Sequence, residues 1–140
     1  MASCLKAEKA ALNLIARAEQ TKFGLTAKLK RKGFETMVVK TVVSDLLERS
    51  LLDDSRYSEL WLRSRLAQNR IKSPLEVMIS LGRKGVERAS SLEAIKKVLD
   101  EETEYNLLLK YIEKFPDTSR NQLKAEGFST EAINNYFESV

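Results

Sequence analysis

Across 140 residues, 24 Lys and Arg face 20 Asp and Glu for a net charge of +4, and histidine is absent. Without histidine there is no His-based triad and no histidine-rich metal site, and the lone Cys4 permits no internal disulfide, which fits a reducing, cytoplasmic setting. Apolar runs of a few residues fall far short of the roughly 20 that span a membrane, and Met1-Ala2-Ser3-Cys4-Leu5-Lys6 has no apolar stretch of signal-peptide length.

Leucine, alanine, lysine and glutamate dominate, glycine and proline are few, and β-branched alternation is scarce, so the class reads all-α. In chain order, Ala11, Leu12, Leu14 and Ile15 form an apolar stripe at helical spacing from about residue 7 to 19. Thr21 suits the N-cap of a second helix carrying Phe23, Leu25 and Leu29 and ending at Gly33, after which Phe34 returns to the core. Val38, Val39, Val42, Val43, Leu46 and Leu47 then repeat at i, i+1, i+4, i+5, so periodicity favours a third helix despite the β-branched residues.

Asp53 or Asp54 can cap the next helix, whose expected apolar face is Tyr57, Leu60, Trp61 and Leu66. Ser73 before Pro74 reads as an N-cap followed by proline at the first helical position, in a helix ending at Gly85. Ser90 with Glu93 has the capping-box pattern for a sixth helix that buries Ile95, Val98 and Leu99. A seventh helix with Tyr105, Leu108, Leu109 and Ile112 leads through Phe115-Pro116-Asp117 to a short helix ending at Gly127. Ser129 caps the last helix, which buries Ile133, Tyr136 and Phe137.

A mark of leucine, polar residues, glycine and an apolar residue occurs three times, at Leu29–Phe34, Leu81–Val86 and Leu123–Phe128. Thr21 and Ser73 each stand 12 residues before their glycine, and Val39, Val42 and Val43 stand at the same offsets from Gly33 as Ile133, Tyr136 and Phe137 from Gly127. The expected fold is therefore all-α: three tandem three-helix repeats, 1–50, 51–100 and 101–140, in an elongated, curved array. Such an array offers a long outer surface suited to binding.

Charge is distributed in blocks. Residues 1–33 hold eight Lys/Arg against two acids and 61–88 hold seven against two, whereas 34–60 hold three against six and 89–140 six against ten. Blocks of this kind speak to partners, although a solvated surface is the plainer reading of any single run. Lys28, Lys30, Arg31 and Lys32 surround one helix end, and Arg83 and Lys84 another, where they also complement the helix dipole. Arg63, Arg65, Arg70 and Lys72 extend across a helix and into a loop, which the dipole explains less well.

Catalysis finds no support. Cys4 has no histidine partner, the acids of Asp53-Asp54 and Asp100-Glu101-Glu102 diverge on a helix and suit capping, and no glycine-rich phosphate loop exists. Trp61 and Tyr57 read as core residues before base-stacking ones. No cofactor or metal is expected.

Leu51-Leu52-Asp53-Asp54-Ser55-Arg56-Tyr57, followed by Trp61-Leu62-Arg63-Ser64-Arg65, resembles the signature of the bacterial RecX regulators. The Leu-x-x-Lys-Gly-Phe ends and Gly127-Phe128-Ser129 fit the same family, so the resemblance covers about residues 10–138. It implies a crescent of three-helix units lying in the groove of the RecA recombinase filament on DNA. There it would restrain strand exchange, ATP turnover and RecA-promoted repressor cleavage, without chemistry of its own. Carried onto this chain, Arg63 and Arg65 take the family's Arg-Ser-Arg positions and lead the contact candidates, while Asp53, Asp54, Arg56 and Tyr57 read as mainly structural. The chain departs from the family pattern at Glu76, where a basic residue is usual, at Gly24, where glutamate often precedes Leu25, and at Ala18, where arginine is common.

A monomeric, non-enzymatic RecA regulator in homologous recombination, DNA repair and the SOS response is thus the leading expectation. Two others stay open. A helix-turn-helix-like protein acting directly on DNA would bind with steep salt dependence, but the helices after each glycine carry broad apolar faces suited to packing. The third is a helical scaffold for an unrelated protein.

Overall fold

The computed structural model describes residues 2–139, and nine α-helices and no strand occur among them. They are α1 (Ala2–Arg17), α2 (Lys22–Arg31), α3 (Thr36–Glu48), α4 (Asp54–Ala67), α5 (Pro74–Arg83), α6 (Arg88–Val98), α7 (Glu101–Lys114), α8 (Arg120–Ala125) and α9 (Thr130–Glu138). Helices pack chiefly within consecutive triplets: α1, α2 and α3 on one another, α4 and α5 on α6, α7 and α8 on α9. A compact monomer of 15.9 kDa exposes about 7,400 Å²; this chain exposes 9004 Å², as an extended helical array does.

Local chemistry sets most boundaries. Side-chain oxygens of Thr21, Asp53, Ser73, Asp100, Ser119 and Ser129 accept from the backbone N–H three residues on, and Ser119 with Gln122 completes a capping box. Gly33, Gly85 and Gly127 adopt φ of +95°, +83° and +92°. After each, the amide of Phe34, Val86 or Phe128 donates back to the carbonyl of Leu29, Leu81 or Leu123, the Schellman closure that satisfies otherwise orphaned carbonyls. The next N-cap then falls two residues past every glycine, at Glu35, Glu87 and Ser129.

That rule explains where α6 departs from expectation. It begins at Arg88, its N-cap Glu87 makes no side-chain cap bond, and Ser90 lies inside the first turn, so the Ser90–Glu93 pattern caps nothing. The Gly85 turn aims the backbone before Ser90 is reached. The first helix likewise runs Ala2–Arg17 rather than 7–19. On α4, Leu60 is 49% exposed while Leu62 is fully buried; on α7, Leu107 is buried and Leu109 exposed. Phe23 is 61% exposed and lies over Gly85 instead of filling the α2 core face.

Among the described residues, buried side chains form two separate cores. One comprises Ala7, Ala11, Leu25, Leu29, Val39, Val42, Val43, Leu46 and Leu52, all from the first triplet and the turn after it. The other runs without interruption through the second and third triplets, from Leu62, Val77 and Leu81 to Leu108, Leu123 and Ile133. Small residues on α4 and α6, Ser58, Ser91 and Ala94, are fully or almost fully buried and let those helices approach closely. At the junction of α5 with the third triplet, the Ser73 hydroxyl donates to Glu126 Oε1 at 2.7 Å and the Leu75 amide to the Glu126 carbonyl at 2.9 Å.

Between the two cores, the Lys22 amide donates to Asp54 Oδ1 at 2.8 Å. Burial raises the half-buried Asp54 carboxyl above its ordinary range, an effect opposed by that amide bond and reinforced by Asp53 and Glu87. A raised carboxyl pKa means that its contribution to stability is greatest below the unfolded value and is lost as pH rises through the folded one. Asp54→Asn keeps an acceptor for Lys22 and carries no charge. Urea melts should therefore show the variant gaining on the wild type from acid toward neutral pH; a gain on acidification instead would contradict the assignment.

Candidate functional site

A basic groove lies between the C-terminal half of α4 and the outer face of α5. Arg65, Arg70, Lys72 and Arg83 line it, around Trp61 and the aliphatic rim of Leu75 and Ile79. Arg65 follows Trp61 by one helical turn, and its guanidinium lies over the indole at 5.1 Å from the ring centroid. A left-handed turn at Asn69 (φ 57°), closed by the Arg70 amide donating to the Arg65 carbonyl at 2.9 Å, stops α4 and carries Arg70 and Lys72 across the groove. Ser73 and Pro74 then start α5 with Val77 and Leu81 inward, leaving Leu75 and Ile79 on the opposite face.

Two carboxylates share the groove, and both have other work. Glu76 Oε1 accepts from the Lys72 amide at 3.1 Å while its own amide donates to the Ser73 hydroxyl, so this acid, standing where a basic residue was expected, serves the helix cap. Glu126 is held by Ser73. Among the described residues no carboxylate pairs with Arg65, Arg70, Lys72 or Arg83 within 4.0 Å. Four cations outside any ion pair, outnumbering the two carboxylates and beside exposed apolar side chains, form a surface that attracts phosphates or carboxylates and also offers apolar contact.

The other predicted residues lie elsewhere. Arg63 is two residues from Arg65, about 200° around the helix, and pairs with Glu59 at 3.4 Å, which also faces Lys97 at 3.9 Å. It lies close enough to Asp100 to help hold that carboxyl below its ordinary range, an effect due first to hydrogen bonds from Thr103. Arg63 and Arg65 therefore do not share a face. Lys84 lines the continuation of the groove past Trp61, with Tyr57, Leu60 and Glu19. Lys28 donates to Gln20 Oε1 at 2.8 Å, and Lys30, Arg31 and Lys32 are exposed at the C-terminal end of α2, forming a second basic surface on the first triplet.

Sequence reasoning missed Leu75 and Ile79. The signal was present: they recur at i and i+4 opposite Val77 and Leu81, on a helix whose start Ser73-Pro74 had already marked. No group of three or more metal-ligating side chains occurs among the described residues, and no helix there is long and apolar enough to cross a membrane.

Comparison with known proteins places this geometry in context. The sequence profile for "RecX, first three-helix domain" matches residues 7–46, which lie within α1 to α3. Regulatory protein RecX of Treponema pallidum (strain Nichols) is 34% identical over 136 residues, covering 93% of this chain and 82% of the relative. Regulatory protein RecX of Clostridium perfringens (strain 13 / Type A) is 32% identical over 111 residues, covering 79% of this chain and 50% of the relative. The crystal structure of RecX from Lactobacillus salivarius superposes with a TM-score of 0.72 at 21% identity, over 98% of this chain and 96% of that one, and so shares the fold. Identity at that level to the Treponema protein, running through most of both sequences, means that the chain belongs to the RecX family.

Proposed function

We propose that this protein binds the RecA recombinase filament on DNA and regulates it, by inhibiting its recombinase, ATPase and coprotease activities in the control of DNA repair and the SOS response. Membership of a family whose proteins are named regulatory protein RecX supports the regulatory role. The observation that carries the binding mode is the α4–α5 groove, where four cations outnumber two carboxylates beside Leu75 and Ile79. A nucleoprotein filament offers such a groove both phosphates and protein surface. The segments 1–50, 51–100 and 101–140 act as successive units of one cytoplasmic monomer, which works by occupying the filament and performs no chemistry.

Arg65→Glu combined with Arg70→Glu reverses the groove's charge without touching either core. Cosedimentation with RecA–single-stranded DNA filaments is expected to show binding weakened roughly tenfold or more, with an unchanged helical circular-dichroism spectrum. Arg63→Glu, on the other side of α4, should bind nearly as the wild type does. Equal loss in both variants would move the contact away from the groove. Tight, sequence-selective binding to bare duplex DNA would favour direct DNA recognition instead.

A further inference from the structure

Asp54 and Arg56 lie outside the groove, in the Leu-Asp-Asp-x-Arg-Tyr stretch that carries the family resemblance, and Glu19 lines only its continuation past Trp61. Their contacts span the gap between the two cores. The Arg56 guanidinium donates through Nε to Glu19 Oε1 at 2.7 Å and through Nη2 to Glu19 Oε2 at 3.4 Å. It also donates to the carbonyls of Ser50 at 3.1 Å and Leu51 at 3.4 Å. One side chain thus ties the α1–α2 corner and the end of α3 to the first turn of α4. The Glu19 carboxylate in turn raises the Arg56 pKa, so the fork stays charged throughout the useful pH range. Asp54 holds the first amide of α2, and the Thr21 hydroxyl donates to the Lys84 carbonyl at 3.2 Å, next to the contact of Phe23 with Gly85.

The two joints of the array differ in kind. The second and third triplets share one apolar core, whereas the first has a core of its own with no buried member in common. Apolar burial is non-directional, so a shared core resists separation by sheer area. A two-pronged guanidinium–carboxylate contact and short hydrogen bonds are directional, and they fix rotation as well as distance. The polar contacts among residues 19–22 and 50–56 therefore set the attitude of the first triplet more than apolar contact does.

We infer that Glu19, Asp54 and Arg56 are positioning residues: they set the angle between the first triplet and the rest of the molecule. That angle fixes the spacing between the basic end of α2, at Lys28, Lys30, Arg31 and Lys32, and the α4–α5 groove. Two weak contacts on one body reinforce each other only when their spacing matches the target. The consequence for binding rests on the proposed filament function; the joint itself does not.

The test places spin labels at Lys9→Cys on α1 and Lys124→Cys on α8, in a Cys4→Ser background, and measures their distance distribution. Combining Glu19→Ala, Asp54→Ala and Arg56→Ala is expected to broaden that distribution while helical content is kept, because neither core loses a member. Asp54→Asn with Arg56→Lys, which retains an acceptor for Lys22 and a cation for Glu19, should restore much of the narrow distribution. Binding of the same proteins to RecA–single-stranded DNA filaments should fall on the order of tenfold in the alanine variant and recover in the conservative one. An unchanged distribution in the alanine variant overturns the joint. A broadened distribution with undiminished filament binding overturns the positioning role. If the labelled wild-type protein binds no filament, the functional reading fails, and the distances still judge the joint by themselves.

Discussion

Leu62→Ala is expected to cost about 2–5 kcal/mol, a large part of the roughly 5–15 kcal/mol that holds a domain of ordinary size together. Leu62 is fully buried at the middle of α4 and belongs to the core that runs through to Val98, Leu107 and Ile133. Truncation there leaves a cavity in the core that the second and third triplets share, so α4 to α9 lose stability together. The first triplet has its own core and is not directly affected, and unfolding should cease to be a single transition as the two parts separate. Leu60→Ala, two residues away on an exposed face, should change stability by no more than about 0.5 kcal/mol. Urea melts followed by circular dichroism distinguish the two; comparable losses would show that the α4 face is assigned wrongly.

The three glycine turns should respond to alanine in a graded order. All three require positive φ, which costs an L-residue about 1–2 kcal/mol. At Gly33 that is the whole effect, since nothing lies within 4 Å of the added Cβ. At Gly127 the methyl would come 3.1 Å from the Leu75 nitrogen and Pro74 Cβ, so the junction between the second and third triplets must also yield slightly. At Gly85 it would overlap Phe23 Cβ and Cγ, a clash that only movement of α2 against α5 relieves. Gly85→Ala is accordingly the most damaging, by a further ~1–3 kcal/mol typical of overpacking. Thermal melts of the three single variants check the order Gly33, Gly127, Gly85; equal losses would mean that the triplets do not meet at these turns.

The same glycines show what sequence could and could not tell. Their spacing from Thr21 and Ser73, and the caps themselves, were legible because each is settled within a few residues by backbone chemistry. Leu60 and Leu109 read as core in the sequence because apolar character alone does not tell neighbouring helix positions apart by less than one turn; packing buries Leu62 and Leu107 instead. The capping box at Ser90 failed because a turn five residues earlier had already fixed the start of α6.

The candidate site divides in the same way. Basic residues in 61–72 were visible as composition, but a count of charge carries no direction. Helical geometry sends Arg63 toward Glu59 and leaves Arg65 over Trp61 with Arg70, Lys72 and Arg83. The bonds of Arg56 to Glu19 and of Lys22 to Asp54 link residues 37 and 32 apart in sequence, and no local pattern announces them. Asp54 and Arg56 could be read as structural from the stretch they occupy, yet which structure they hold emerges only when the two cores are seen to be separate.

The most direct test of the regulatory reading is a titration of this protein into RecA on single-stranded DNA while ATP hydrolysis is followed. Hydrolysis is expected to fall progressively as the protein approaches stoichiometry with the filament, and Arg65→Glu with Arg70→Glu should shift that fall to higher concentration. An unchanged rate at stoichiometric wild-type protein would contradict the account.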